Sequence, residues 1–353
     1  MLEKLKDLYN KTVKEAAQFT NQRATMRACM MGPRAVGKTT ILTAIFHNTN
    51  KSISQTGLKF IPDADTQVKM NTCNRQLEEI FEKKKSISDR PLAGIEASQV
   101  VNVFRYQFGL KGKHTTVDLE IKDFPGEYVD GGLHAGEIDK FVEESNAIFI
   151  AIDTPHMMEH GGEYCEAKNK CSVISDYFNN NLKDDDEKLI LFVPLKCEKY
   201  YYEKRMDEVN TAVKKAYRSL IDTIETKKNV ACAITPILTI GGVVFDVFQA
   251  DSNGNVLVSP KGLPEAAYYK FYDKKPELNP MFCVQPLYYI LSYVTHAYEA
   301  NKGKGNIVKK FFTSLFNLFS SDIDLLNEIK KITGYMLKNG NGYEIIQGKD
   351  KLI

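Results

Sequence analysis

One octapeptide limits what this chain can become. Gly32-Pro-Arg-Ala-Val-Gly37-Lys38-Thr39 fits the pattern G-x-x-x-x-G-K-[ST]. The pattern works only where a strand feeds a loop and the loop opens a helix. Its glycines let backbone N–H groups turn inward around phosphates, and the helix directs its positive end at them. The flanks meet that requirement. Met26–Met31 (MRACMM) predicts a short buried strand, and Ile41–His47 continues a helix. Gly32, Arg34, Ala35, Val36, Gly37, Lys38, Thr39 and Thr40 are the expected phosphate cradle. Lys38 is expected to neutralise the β- and γ-phosphates, and the Thr39 hydroxyl to ligate Mg²⁺.

The rest of the chain alternates strands and helices, which predicts a mostly parallel sheet covered on both faces. Ala147–Ile152, Lys188–Lys196 and Val230–Ile240 predict buried strands. Lys170–Phe178, Met206–Ile224 and Cys283–Ala300 predict helices. Val100–Leu110 and Thr116–Asp123 alternate in polarity around KGKH, the pattern of an antiparallel hairpin. Asn253-Gly254 marks a further turn. The expected organisation is an amphipathic helix over 1–22, a nucleotide-binding domain over 23–300 with a helical insertion at about 50–98, and a helical tail over 301–353.

Composition narrows the partners. With 47 Lys+Arg against 45 Asp+Glu, the net charge of +2 gives no support for a nucleic-acid-coating surface. No apolar run approaches the length of a membrane span. Seven scattered cysteines without a CxxC pair point to reduced thiols and a cytoplasmic setting.

A loop of this kind needs a distant carboxylate to hold Mg²⁺ through water. Two strand-end aspartates compete. Asp153 ends the apolar strand AIFIAID, as in ATPases. Asp123 ends the hairpin's second strand and continues as Asp123-Phe-Pro-Gly126-Glu127, a D-x-x-G sequence. In that setting the Gly126 N–H can sense the γ-phosphate, which favours Asp123.

These motifs, in this order, resemble the translation-factor/Ras-like (TRAFAC) class of P-loop GTPases. The DFPGE sequence and the late NPMFCVQPLYYILSY stretch are most similar to bacterial double-GTPase proteins of conflict-type gene neighbourhoods. The resemblance implies an α/β P-loop fold: a Ras-like mixed sheet with one antiparallel hairpin, helices on both faces and extra terminal helices. It implies Mg²⁺ as cofactor and GTP or GDP as ligand. The family reads guanine with Asn-Lys-x-Asp after its fifth strand; here that stretch is Leu195-Lys196-Cys197-Glu198. Lys196 is expected to stack on the base and Glu198 to accept from guanine N1 and N2, although Leu195 departs from Asn. Adenine lacks that donor pair and would leave the carboxylate unpaired.

Other positions depart from the family pattern. Glu127 stands where Ras-like enzymes use Gln to orient water; a base, a helix cap and a partner contact are its alternative roles. Arg34 replaces a P-loop glycine, where it serves either as a built-in cation or as an outward ion pair. Ser98 is the best-placed hydroxyl for the Mg²⁺-binding switch residue. Arg90 lies eight residues earlier, in a place analogous to the cis arginine of Gα proteins. His156, His160, Cys165 and Cys171 match no tight zinc spacing. The aromatic-rich stretch 306–319 has three readings: docking on its own domain, binding a partner, or touching a membrane. The expected function is a slowly hydrolysing, Mg²⁺-dependent GTP switch acting on a protein partner in a bacterial system. The alternatives are a non-hydrolysing GTP-binding module and an ATPase that uses Asp153.

Overall fold

The structure is a computed structural model that describes residues 24–53, 56–82, 101–126, 135–273, 277–301, 313–334 and 341–353. The expected helix over 1–22 lies outside these residues, as do Arg90, Ser98 and Glu127. The first elements are β1 (Ala24–Met31), α1 (Lys38–Ile53), β2 (Leu58–Pro62), α2 (Ala64–Glu82), β3 (Asn102–Leu110), β4 (Val117–Asp123) and α3 (Ala135–Glu144). They are followed by β5 (Ala147–Asp153), α4 (Thr154–Met158), α5 (Cys165–Asn169), α6 (Cys171–Asn181) and β6 (Leu189–Leu195). Next come α7 (Glu198–Tyr202), α8 (Met206–Ala216), α9 (Arg218–Glu225), β7 (Ala231–Ile234), β8 (Val243–Phe248) and β9 (Ala267–Phe271). The last are α10 (Gln285–Asn301), α11 (Thr313–Ser321), α12 (Ile323–Thr333), β10 (Glu344–Gln347) and α13 (Lys349–Leu352).

Eight strands form one sheet in the order β10-β7-β6-β5-β1-β4-β3-β2. The five central strands run parallel, with β1 between β4 and β5. The expected hairpin is β3–β4, with Asn102 opposite Asp123. Two edge pairings, β2–β3 and β10–β7, are also antiparallel. Both faces of β5, β6 and β7 are buried, so these strands read as continuous apolar runs. On β5, Ala147, Phe149 and Ala151 face α1, α10 and α12, while Ile148, Ile150 and Ile152 face α3, α6, α8 and α9.

Four expectations change. The insertion at about 50–98, expected to be helical, also holds β2, which pairs with β3 at the sheet edge. The single helix over 206–224 is two, because Tyr217 leaves helical geometry at ψ 25° while packing fully buried on Phe192, ring centroids 5.0 Å apart. The i, i+4 spacing survives the break, so periodicity did not reveal it. The strand over 230–240 stops at Ile234, two residues before Pro236, which has no N–H for the ladder. The tail over 301–353 joins the core: Leu325, Ile329 and Ile332 of α12 are fully buried, and β10 pairs with β7. Within the stretch 306–319, Phe319 packs on Tyr298 of α10 at 5.5 Å, while 306–312 lie outside the described residues.

Candidate nucleotide site

The loop after β1 does what its sequence requires. Gly37 has φ 110°, a backbone state that side chains rarely adopt, and it delivers Lys38 as the first residue of α1. Lys38 is buried, and its Nζ donates to the carbonyls of Gly32 and Pro33 at 2.9 and 3.0 Å. A buried ammonium needs such acceptors, and phosphate oxygens compete for the same donors. Val36 is buried beneath the loop, Arg34 and Ala35 are exposed on it, and Thr40 is half-buried on α1.

Thr39 Oγ1 donates to Asp123 Oδ2 at 2.9 Å, so the strand end of β4 meets the start of α1. Asp123 is 3% exposed, and its Oδ1 is buried without a hydrogen-bond partner. Burial raises the Asp123 carboxyl above the usual range; Lys38 and the Thr39 hydroxyl act against that rise. An orphaned carboxylate oxygen beside a threonine hydroxyl fits a hydrated divalent cation, which would satisfy both. Three residues on, Gly126 lies against the loop. A Cβ there would sit 2.1 Å from Arg34 N and 2.5 Å from Arg34 Cα, so only glycine fits.

Asp153 has a different task. It is fully buried, with Oδ2 2.7 Å from Lys196 Nζ and Oδ1 2.6 Å from His156 Nδ1. Burial pushes its carboxyl up, but Lys196 and His156 outweigh this and hold it well below the usual range. Its backbone N–H donates to Asn169 Oδ1 at 2.7 Å. Both of its oxygens are engaged, so it positions Lys196.

Lys196 follows β6 at φ 55°, a left-handed state that turns its side chain back over the loop. Its Nζ donates to the Ala35 carbonyl at 3.0 Å. Glu198 starts α7, 3% exposed, and its Oε1 accepts from the N–H groups of Ile240 and Gly241 at 3.3 and 3.4 Å. Burial raises its carboxyl, and these N–H groups oppose the shift. Leu195 replaces the family's polar tie with an apolar one: its Cδ1 lies 3.6 Å from where a Gly37 Cβ would stand. Residues 240 and 241 thus meet Glu198 across the site.

Together these contacts bring Gly32, Arg34, Ala35, Val36, Gly37, Lys38, Thr39, Thr40, Asp123, Gly126, Lys196 and Glu198 to the loop end of the parallel strands. The zinc reading does not assemble. His156 is committed to Asp153, Cys165 and Cys171 sulfurs lie 3.7 Å apart, and no metal-fit cluster of three such groups occurs among the described residues. A cavity of about 700 Å³ lies elsewhere, between Met157, Cys165 and Thr211 of α8. Sequence reasoning missed Lys168, Asn169 and Tyr269, which reach the site from elements without a motif.

The family model of Double-GTPase 2 matches residues 29–233, from β1 through the phosphate loop, Asp123 and Glu198 to β7. The chain belongs to the Double-GTPase 2 family. A GTP-binding protein of this family accounts for the phosphate loop. Two solved structures of the S. cerevisiae Ski7 GTPase-like domain are similar to it. The one bound to GTP is 12% identical with TM-score 0.41, covering 63% of this chain and 44% of its own. The one bound to GDP and inorganic phosphate is 13% identical with TM-score 0.34, covering 58% and 42%. The chain therefore spans less than half the length of these structures. No curated protein matches it in sequence. Among the described residues, no helix is long and apolar enough to cross a membrane.

Proposed function

We propose that this Double-GTPase 2 protein binds GTP with Mg²⁺, hydrolyses it slowly, and switches a protein partner in a bacterial, conflict-type system. The observation that carries the reading is the Thr39–Asp123 hydrogen bond with the orphaned Asp123 Oδ1 beside it, opposite the phosphate loop. Mg²⁺ held by Thr39 and, through water, by Asp123 would neutralise charge on the β- and γ-phosphates. The chain's own groups do the rest. Lys38 exchanges two loop carbonyls for phosphate oxygens. Loop N–H groups bind the phosphates, and the Gly126 N–H distinguishes tri- from diphosphate. Ser98 is proposed as a further Mg²⁺ ligand. Glu127 is a carboxylate where the family's glutamine orients water, which suits slow hydrolysis, and Arg90 and Arg34 are candidate cations for the transition state. The occupied oxygens of Asp153 argue against the ATPase reading.

Denaturing the purified protein, identifying the nucleotide released, and assaying phosphate release test this reading. Recovery of ATP, or of no nucleotide together with no GTP binding, overturns it.

Glu198 is expected to set base choice. A hydrogen bond to a charged group contributes about 1.5–3 kcal/mol, so Glu198→Ala should cut the preference for GTP over ATP roughly tenfold or more. ATP affinity should hardly move, because both nucleotides share the phosphate contacts. Competition by GTP, ITP and ATP against a fluorescent nucleotide measures it, and equal competition in the unmutated protein rejects the assignment.

Gly126→Ala is expected to push the D-x-x-G loop off Arg34. Losing one N–H to the γ-phosphate should lower the GTP-to-GDP affinity ratio by about ten- to a hundredfold. GDP affinity should stay put. A ratio unchanged in competition binding would show that Gly126 does not read the γ-phosphate.

A further inference from the structure

Two lysines, from different elements, grip consecutive carbonyls of the phosphate loop. Lys196, after β6, donates to Ala35 O at 3.0 Å; Lys168, on α5, donates to Arg34 O at 2.9 Å. Both face one buried carboxylate, Asp153, which pairs with Lys196 directly and acts on Lys168 through its charge. Asn169, next to Lys168, bonds the Asp153 backbone through its carbonyl oxygen and its amide, at 2.7 and 3.2 Å, and so fixes α5 against the end of β5.

The consequence follows from peptide geometry. In a trans peptide the C=O and the next residue's N–H point in opposite directions. A cation that holds Arg34 O therefore turns the Ala35 N–H the other way, and one that holds Ala35 O does the same for the Val36 N–H. A cation at the carbonyl also polarises the peptide and strengthens its N–H as a donor. Resting on the GTP-binding reading above, we propose that Lys168 is a positioning residue of the nucleotide site: its ammonium holds the Arg34 carbonyl and aims the Ala35 N–H at the phosphates.

The surroundings of Lys168 support a dedicated role. Burial lowers its ammonium to about 8, Asp153 opposes the shift, and Lys196 and Lys38 add to it. Such an environment disfavours a cation, and the carbonyl contact together with Asp153 retains it. Among the described residues, the charges facing it are Asp153 from β5, Lys196 from the turn after β6, and Lys38 from the start of α1. In the free protein the charged form prevails below that value and is lost as pH rises through it. Binding that needs the cation should weaken over the same range.

The full chain with Mg²⁺ and GTP provides the test. Lys168→Met is expected to lower GTP affinity about tenfold, with no change in the thermal midpoint of the nucleotide-free protein. Lys168→Arg, which keeps the charge, should recover most of the affinity. The unmutated protein should lose affinity as pH rises through about 8, and Lys168→Met should be flat there. Wild-type affinity in Lys168→Met, or a loss matched by an equal fall in the nucleotide-free midpoint, overturns the assignment. An unmutated chain that fails to bind GTP overturns the underlying reading as well, so the two failures are distinct.

Discussion

Lys38→Ala should lower Mg²⁺·GTP affinity by roughly two to four orders of magnitude. Two charge-assisted hydrogen bonds to the β- and γ-phosphates contribute about 3–6 kcal/mol together at 1.5–3 kcal/mol each, and about 1.4 kcal/mol is a factor of ten. In the free protein the same ammonium is bonded to Gly32 O and Pro33 O. Nucleotide binding therefore replaces two contacts instead of starting from a hydrated cation, which places the expected loss toward the lower end. Lys38→Arg should not rescue binding, because Lys38 is buried and a planar guanidinium fork does not reproduce the compact, freely rotating donors of an ammonium. Titration calorimetry measures the effect, and unchanged affinity in Lys38→Ala rejects the phosphate site.

The two strand-end aspartates should separate stability from metal dependence. Asp153→Ala removes a fully buried carboxylate whose oxygens serve Lys196 and His156. Breaking a buried pair on one side costs about 3–5 kcal/mol, so denaturant unfolding should shift strongly. The sign with pH is fixed by the depressed folded carboxyl. Its stabilisation is fully present above the unfolded carboxyl range, near pH 4, and is lost as pH falls toward the folded value. The gap between variant and parent should therefore shrink in acid. Asp123→Ala should behave in the opposite way. The Asp123 carboxyl is raised by burial, so its charged form is disfavoured in the free fold, and removing it should leave stability intact. What should fall is the gain in nucleotide affinity on adding Mg²⁺, by about 10–100-fold. If Asp153→Ala were the variant that lost metal dependence, the site would have been assigned to the wrong strand.

How far the sequence revealed these contacts depended on the distance between cause and effect. The phosphate loop was legible because its chemistry lies within eight consecutive residues whose types are dictated by close backbone approach. The hairpin was legible because β4 alternates throughout, β3 alternates over most of its length, and the two sit side by side in the chain. The D-x-x-G pattern favoured Asp123 over Asp153, and the fold sets Asp123 beside the Thr39 hydroxyl. The role of Asp153 was not legible. Its partner Lys196 is 43 residues away, and only the fold shows that the two meet. Lys168 lies on a five-residue helix with no motif, 134 residues from the carbonyl it holds. β10 was hidden for another reason: EIIQ is too short to show a period. The pair β8–β9 escaped notice because its strands are separated by a long connection rather than a tight turn.

The β7–β10 pairing bears on how the chain is made. During synthesis β7 emerges long before the strand that covers it, since Ile234 pairs with Glu344. Until then, the four residues Ala231–Ile234 offer an open sheet edge, next to the β6 strand that leads into the turn holding Lys196. An unpaired edge of this kind invites pairing with another nascent chain. Contacts so far apart in sequence also close late, because loop entropy must be met before the pairing rewards it. β7 is short and is followed by Pro236, which cannot extend the ladder, so the exposed template is limited to four residues. One face of β5 and β6 is covered by α10 and α12, so that face and the β7 edge are both completed only when the distal segments arrive.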